Sequence, residues 1–179
     1  MLKKILIVLL VVVTIFVIIV ALQPSEFRYS RSATINAPAA IVFENINDLH
    51  KWQAWSPWAK MDPNAKINYE GPTSGIGAIF GWAGNKHVGE GKMTITESKA
   101  TDLILIKLDF IKPFESSNTT EFTFKTVGNQ TLVTWSMFGK NNFMAKGFGL
   151  FVNCDKMLGD EFEKGFANLK GVVETTNKN

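Results

Sequence analysis

Residues 103–138 read LILIKLDFIKPFESSNTTEFTFKTVGNQTLVTWSMF. Apolar and polar side chains alternate along most of this stretch, with turn signals at Lys112-Pro113 and Gly128-Asn129. The pattern predicts three strands, at 103–110, 118–125 and 131–138. They belong to an antiparallel sheet that is apolar on one face and polar and exposed to water on the other. The apolar face is predicted to carry Ile104, Ile106, Leu108, Phe110, Phe122, Phe124, Val133, Trp135 and Met137.

The same period of two extends upstream of this stretch. Strands are predicted at 66–70, 77–82 and 89–97, separated by Gly71-Pro72, Gly84-Asn85 and the polar segment 99–102. A further strand is predicted at 27–35, which brings the expected sheet to about seven strands. Their additional apolar-face residues include Ala78, Phe80, Trp82, Met93 and Ile95.

A helical period replaces the strand period after the sheet. Leu158, Phe162, Phe166, Leu169 and Val173 recur every three or four residues, which predicts one apolar stripe on a helix over 155–174. Such a helix needs a partner in water, and the apolar face of the sheet is the available one. A short helix is also predicted at 38–47, followed by a second short helix or a turn at 49–58. The expected fold is α+β, a curved antiparallel sheet wrapped on a long C-terminal helix.

Segment 139–149 joins the last strand to this helix. It is rich in Asn, Gly and Phe, and it is predicted to be a mobile connection. Phe143 and Phe148 within it are expected to be exposed, as a lid or as a contact surface.

Residues 5–22 form an apolar run of 18 residues in which Thr14 is the only member with a polar atom. A helix of this length spans about 27 Å, close to the thickness of a bilayer core, and Lys3 and Lys4 precede it. We therefore predict a transmembrane anchor, with segments 1–4 (basic N-terminus), 5–22 (anchor), 23–26 (linker), 27–174 (domain) and 175–179 (polar tail). The lysines favour a cytoplasmic N-terminus and an extracytoplasmic, periplasmic domain on a single-pass protein of the cell membrane.

A cleaved signal peptide is the alternative interpretation of the same run. Signal peptides usually have an apolar region of about 7–15 residues and a small-x-small cleavage site. Here Ala21 at the outer small position leaves Gln23 at the inner one. The pattern favours an uncleaved anchor.

Composition limits the classes of partner. Without Lys3 and Lys4 the chain has 17 basic and 16 acidic side chains, which gives no reason to propose nucleic acid. Cys154 is the single cysteine and cannot form an internal disulfide. The chain has 14 Phe and five Trp, so rings must line a core, a cavity or a membrane-facing rim.

Four short motifs occur in the chain: RSATINAP at 31–38, WSPW at 55–58, GIGA at 75–78 and GEG at 89–91. They resemble motifs of the START-like superfamily, and within it of the polyketide cyclase/dehydrase (SRPBCC) group, and the likeness covers residues 27–174. The resemblance implies a helix-grip fold with a deep apolar cavity for lipids, sterols, polyketides or other hydrophobic ligands. It implies no particular reaction and no catalytic residues. A membrane anchor ahead of such a domain is similar to many uncharacterised bacterial members.

Aromatic and apolar residues are the candidates for lining that cavity. Three tryptophans, Trp52, Trp55 and Trp58, are interpreted as core packing, as a cavity mouth or as a membrane-facing rim. The predicted cavity residues are Trp55, Trp58, Phe80, Trp82, Met93, Ile106, Phe110, Phe124, Trp135, Phe162 and Phe166.

Polar groups capable of catalysis or metal binding are sparse. His50 and His87 are isolated and lack metal-ligand spacing, so no metal and no cofactor are predicted. Asp109 is expected to face solvent, and Glu90, between two glycines, is expected to mark a bulge or a turn at the start of its strand. Three hypotheses for function follow: a membrane-anchored binding module for a lipid or another hydrophobic molecule, an enzyme of cyclase/dehydrase or hydrolase type using His87, Glu90 or Asp109, and a structural domain that binds a protein partner.

Overall fold

A computed structural model describes residues 1–176. Its helices are α1 (Leu2–Ala21), α2 (Ala39–Asn47), α3 (Trp52–Trp55), α4 (Phe143–Gly149) and α5 (Cys154–Thr176). Short 3-10 turns at Leu49–Lys51 and Pro57–Lys60 flank α3. The strands are β1 (Glu26–Ile35), β2 (Lys66–Glu70), β3 (Ile79–Ala83), β4 (Glu90–Lys99), β5 (Leu103–Lys112), β6 (Ser116–Val127) and β7 (Gln130–Lys140).

Within residues 1–176 the seven strands form one antiparallel sheet in the order β1-β7-β6-β5-β4-β3-β2. Strands β2 to β7 follow one another as hairpins, as the alternating pattern predicts. The first strand returns to lie beside the last, in a register that runs from Glu26 opposite Lys140 to Ile35 opposite Thr131. The register between β4 and β5 shifts where Glu90 lies opposite Lys112 and Gly91 lies opposite Phe110, so the extra residue is Ile111 on β5. The irregularity expected at Glu90 therefore lies on the neighbouring strand.

The apolar face of the sheet packs against α5, which confirms the helix-grip architecture. The predicted stripe is buried, with Phe162, Phe166, Leu169 and Val173 at most 3% exposed. Arg31 on β1 ties the start of α5 to the sheet. Its guanidinium Nη1 lies 3.1 Å from Oδ1 of Asp155, and its Nε lies 3.2 Å from Oε1 of Glu163.

The apolar face is divided into a filled half and a hollow half. The half near the β6–β7 turn is covered by α2, α3 and the second half of α5. Its packing is anchored by two indoles, since Trp52 Nε1 donates to the Ile46 carbonyl at 2.7 Å and Trp55 Nε1 donates to the Asn45 carbonyl at 3.1 Å. The fully buried side chains of this half include Ile46, Ile104, Ile106, Phe122, Val133, Leu169 and Val173.

The connection between β7 and α5 differs from its prediction. Segment 139–149 was predicted to be a mobile connection, but Phe143–Gly149 form α4. The Asn142 side chain accepts a hydrogen bond from the Ala145 amide at 2.8 Å, which caps the helix. Tertiary contacts also stabilise α4, because it packs against the C-terminal end of α1.

Helix α1 contains residues 5–21 of the predicted apolar run, and Leu22 follows its last residue. It is 20 residues long and, by length and composition, able to cross a membrane, although a signal sequence has the same properties. Residues 22–25 separate it from β1. At the other end of the chain α5 continues to Thr176, so the predicted tail 175–179 begins within this helix, and residues 177–179 lie outside the described part.

Two glycines of α5 provide a matched test of this packing. A methyl group on Gly165 would lie 2.8 Å from the Trp135 ring and 3.3 Å from Pro57, whereas Gly171 has no neighbour within 4 Å. We expect Gly171→Ala to raise the free energy of unfolding by about 0.5–1 kcal/mol, because alanine favours helix. Gly165→Ala should lower the free energy of unfolding by about 1 kcal/mol, because the cost of overpacking exceeds the gain from the helix preference of alanine. Urea denaturation of both variants measures the difference, and equal effects would contradict the close packing at Gly165.

Candidate functional site

The hollow half of the apolar face contains a cavity of about 380 Å³. The floor is the sheet, one wall is the start of α5, and the roof is the segment from α3 to the beginning of β2. Rings and aliphatic side chains dominate the lining. The main residues are Trp52, Trp58, Ile67, Phe80, Trp82, Val88, Met93, Leu108, Phe110, Trp135, Met137, Met157, Leu158 and Phe162.

Seven of the eleven predicted cavity residues lie in this lining. They are Trp58, Phe80, Trp82, Met93, Phe110, Trp135 and Phe162. The other four, Trp55, Ile106, Phe124 and Phe166, lie outside it. Ile106 and Phe124 lie on the apolar face of the sheet, whereas Trp55 and Phe166 belong to helices that pack on it. All four are in the filled half, where Trp55 packs on Phe122 and Trp135 and Phe124 packs on Phe43.

The three clustered tryptophans have different environments. Trp55 is 1% exposed and is core. Trp52 is also buried, yet one side of it reaches the cavity. Trp58 is half-buried and lines the cavity, with its ring edge-on to Trp135 at 5.8 Å and to Phe162 at 6.5 Å between centroids. Core packing therefore describes Trp55, while Trp58 is the member whose position suits a cavity mouth.

A few polar side chains interrupt the apolar lining, and sequence reasoning missed most of them. They are Gln53, Ser56, Asp62, His87 and Thr120. Thr120 is 3% exposed and stands two residues before Phe122, so the period of two could have placed it on the inner face. Asp62 lies in a loop, where periodicity gives no signal.

Asp62 joins the two loops at the edge of the cavity. Its Oδ2 accepts the Asn85 amide at 2.6 Å, and its Oδ1 accepts the Asn64 amide at 3.1 Å. The Asn85 side chain in turn accepts the His87 amide at 2.8 Å. These bonds connect loop 61–65 to loop 84–89, and both loops contribute to the lining.

Removing this carboxylate should loosen the rim of the cavity. Hydrogen bonds to charged groups contribute about 1.5–3 kcal/mol when well formed. Because Asp62 is partly exposed, we expect Asp62→Ala to lower the hydrogen-exchange protection of the Asn85 amide by about tenfold, the lower end of that range. Asp102→Ala, in the turn at the far end of the sheet, is the control and should leave Asn85 unchanged. Equal protection of Asn85 in both variants would mean that Asp62 does not hold the loops together.

The candidate acids and bases do not converge in the cavity. Of the three named for an enzyme, His87 lines the cavity, whereas Glu90 pairs with Lys112 at 2.6 Å and Asp109 pairs with Lys107 at 3.0 Å. Burial by itself would raise the pKa of Asp109, but hydrogen bonds from Ser117 and Lys107 outweigh it and lower that pKa. His50 stacks on Tyr69 with ring centroids 3.9 Å apart. Among the described residues no cluster of three or more His, Cys, Asp or Glu side chains is placed to hold a metal ion.

A sheet wrapped on a C-terminal helix, with an apolar cavity between them, defines a helix-grip protein of the START-like class. The sequence model of the family described as "Polyketide cyclase / dehydrase and lipid transport" matches residues 26–174. The chain belongs to this family, which confirms the resemblance. No curated protein matches the sequence.

Solved structures share the fold at low sequence identity. SA2116 of Staphylococcus aureus, of unknown function, is 11% identical with a TM-score of 0.64, over 89% of this chain and 99% of that one. Major latex-like protein 151 of Panax ginseng is 14% identical with a TM-score of 0.60, over 84% and 99%. The di-domain ARO/CYC protein StfQ of steffimycin biosynthesis is 9% identical with a TM-score of 0.63, over 87% of this chain and 53% of that one.

Proposed function

We propose that this protein binds a hydrophobic small molecule, of lipid or polyketide type, in the cavity between the sheet and α5. The main support is the cavity itself. Its volume of about 380 Å³ lies within the range of roughly 300–1,000 Å³ that ligand sites occupy. Its lining is mainly rings and aliphatic side chains, with a few polar groups that can orient a ligand.

The family description supports this class of ligand, since it covers both polyketide cyclases and lipid transport. StfQ, a protein of the steffimycin biosynthetic pathway, shares the fold. No particular reaction follows from the family. The ligand-contacting residues in this proposal are the seven predicted ones that line the cavity, together with Leu108, Met137, Met157 and Leu158.

The proposal includes a membrane tether. Helix α1 of 20 residues would span about 30 Å, which matches the hydrocarbon core of a bilayer. Lys3 and Lys4 favour a cytoplasmic N-terminus, and the domain 27–174 would then face the periplasm or cell exterior. A hydrophobic ligand could then be exchanged with the adjacent bilayer.

The decisive experiment identifies what the cavity holds. Residues 24–179 are expressed without α1, purified under non-denaturing conditions and measured by native and then denaturing mass spectrometry. We expect a stoichiometric lipid or other hydrophobe in the native spectrum that is lost on denaturation. A clean apo mass, unchanged after incubation with lipid extracts, would refute the binding function.

A further inference from the structure

Helix α4 and the turn after it carry an apolar surface that the rest of the domain does not cover. Met144 is 72% exposed and Phe151 is 79% exposed. Phe143, Phe148 and Leu150 are exposed as well, so five large apolar side chains occur within nine residues. Contiguous exposed apolar surface of this kind marks a contact site rather than ordinary surface variation.

This surface, residues 143–151, is continuous with the C-terminal end of α1. The rings of Phe151 and Phe16 have centroids 6.5 Å apart. Gly147 faces Val20, since a methyl group added there would lie 3.9 Å from both Val20 methyl carbons. Lys146 Nζ donates to the Ala21 carbonyl at 3.3 Å and to the Ser25 hydroxyl at 2.9 Å.

These contacts give depths along the axis of α1. Ala21 is the last residue of α1, so if α1 spans a bilayer, Lys146 lies at the level where the helix leaves it. Phe16 is five residues further in, about 7.5 Å at 1.5 Å per residue. The Phe151 ring lies 6.5 Å from the Phe16 ring between centroids, which places it near that depth. Interfacial helices bury their apolar face to about 5–10 Å in the same way.

We propose that surface 143–151 is embedded in the outer part of the bilayer beside α1. The occupant is lipid because the surface is continuous with the anchor and because Lys146 lies at headgroup level, where a lysine is favourable. This inference rests on the proposed function in one respect, that α1 spans the membrane. The embedding does not depend on ligand binding.

The embedded surface also sets the position of the cavity. Helix α5 starts three residues after Phe151, and its first turns supply Met157 and Leu158 to the lining. The sheet register places loop 84–89 at the same end as α4, because Ala83 pairs with Glu90 and Glu90 pairs with Lys112, which precedes the turn into β6. Embedding surface 143–151 therefore holds this end of the cavity at the lipid–water interface.

Depth-dependent fluorescence quenching tests the embedding in the full chain. Single cysteines are introduced into the Cys154→Ser chain, labelled with an environment-sensitive probe, and the labelled protein is reconstituted into phosphatidylcholine–phosphatidylglycerol vesicles. The introduced cysteine replaces Phe151 or, as a second site, Met144. Val127, an exposed apolar residue next to the β6–β7 turn at the opposite end of the sheet, is the control. A probe at Val8, in the N-terminal half of α1, reports the anchor separately.

We expect spin-labelled phospholipid to quench most of the emission at positions 151, 144 and 8 and to leave position 127 bright. Quenching at position 8 with none at 151 and 144 would overturn the embedding and leave the anchor intact. Emission typical of an apolar environment at position 151, without quenching by the spin-labelled phospholipid, would mean that a protein surface covers α4. That result would also overturn the embedding. No quenching at position 8 would refute the anchor on which the inference rests, whereas ligand binding is tested independently by mass spectrometry.

Discussion

Replacing Trp135 by alanine is expected to lower the free energy of unfolding of the domain by about 3–5 kcal/mol, the range for deleting a buried large aromatic. Trp135 is 2% exposed and stands between the filled and hollow halves of the sheet face. Its ring stacks on Phe162 at 4.3 Å and lies 4.9 Å from Phe122 between centroids. Alanine would remove this ring packing and merge the cavity with the void left behind. Urea denaturation of residues 24–179 measures the decrease in stability.

Trp135→Phe separates packing from polarity at the same position. The indole Nε1 of Trp135 is buried and has no hydrogen-bond partner among residues 1–176. An unsatisfied buried donor costs about 1–3 kcal/mol, so its removal should offset the weaker packing of the smaller phenyl ring. We expect a net change within about 1 kcal/mol for this variant. If Trp135→Phe lowered the free energy of unfolding as much as Trp135→Ala, the prediction that the indole nitrogen is unsatisfied and costly would be wrong.

The second large effect is on ligand occupancy. Ala59 lines the cavity, and Ala59→Trp would place an indole in the space that the ligand requires. A ligand would then have to displace this ring or bind beside it, an overpacking cost of about 1–3 kcal/mol. We therefore expect binding to weaken by about tenfold to a hundredfold, with the co-purifying molecule absent from the native mass spectrum.

Ala54→Trp is the matched control for this prediction. Ala54 lies in α3, five residues earlier, and is exposed outside the cavity lining. The two variants have the same composition and differ in where the indole projects, so Ala54→Trp should retain the ligand. If Ala59→Trp still carried a stoichiometric hydrophobe, the ligand would lie elsewhere, and surface 143–151 would be the first place to look.

The two halves of the sheet explain which site residues could be predicted. Alternation in β3 to β7 correctly assigned Phe80, Met93 and Phe110 to the inner face. The same alternation assigned Ile106 and Phe124 to that face, and they are there, but in the filled half. A period of two specifies the face on which a side chain lies and contains no information on what covers it. The covering elements α2 and α3 are distant in sequence from the strands that they pack on.

Helix α4 could not be predicted from its own residues. Its glycines and Asn142 are typical of a loop, and a seven-residue helix has little stability of its own. Packing against Val20 and Phe16, more than 120 residues away along the chain, stabilises a conformation that local propensity does not favour.

The order of side chains was enough to define most of the secondary structure, the apolar face of each strand, the stripe of α5 and the apolar N-terminal run, because these depend on spacing along a regular backbone. Three features required the folded molecule: half of the apolar face is hollow, Asp62 joins two loops at the rim, and residues 143–151 lie beside α1. Each of them depends on contact between segments far apart in the chain, and side-chain periodicity carries no record of such contacts.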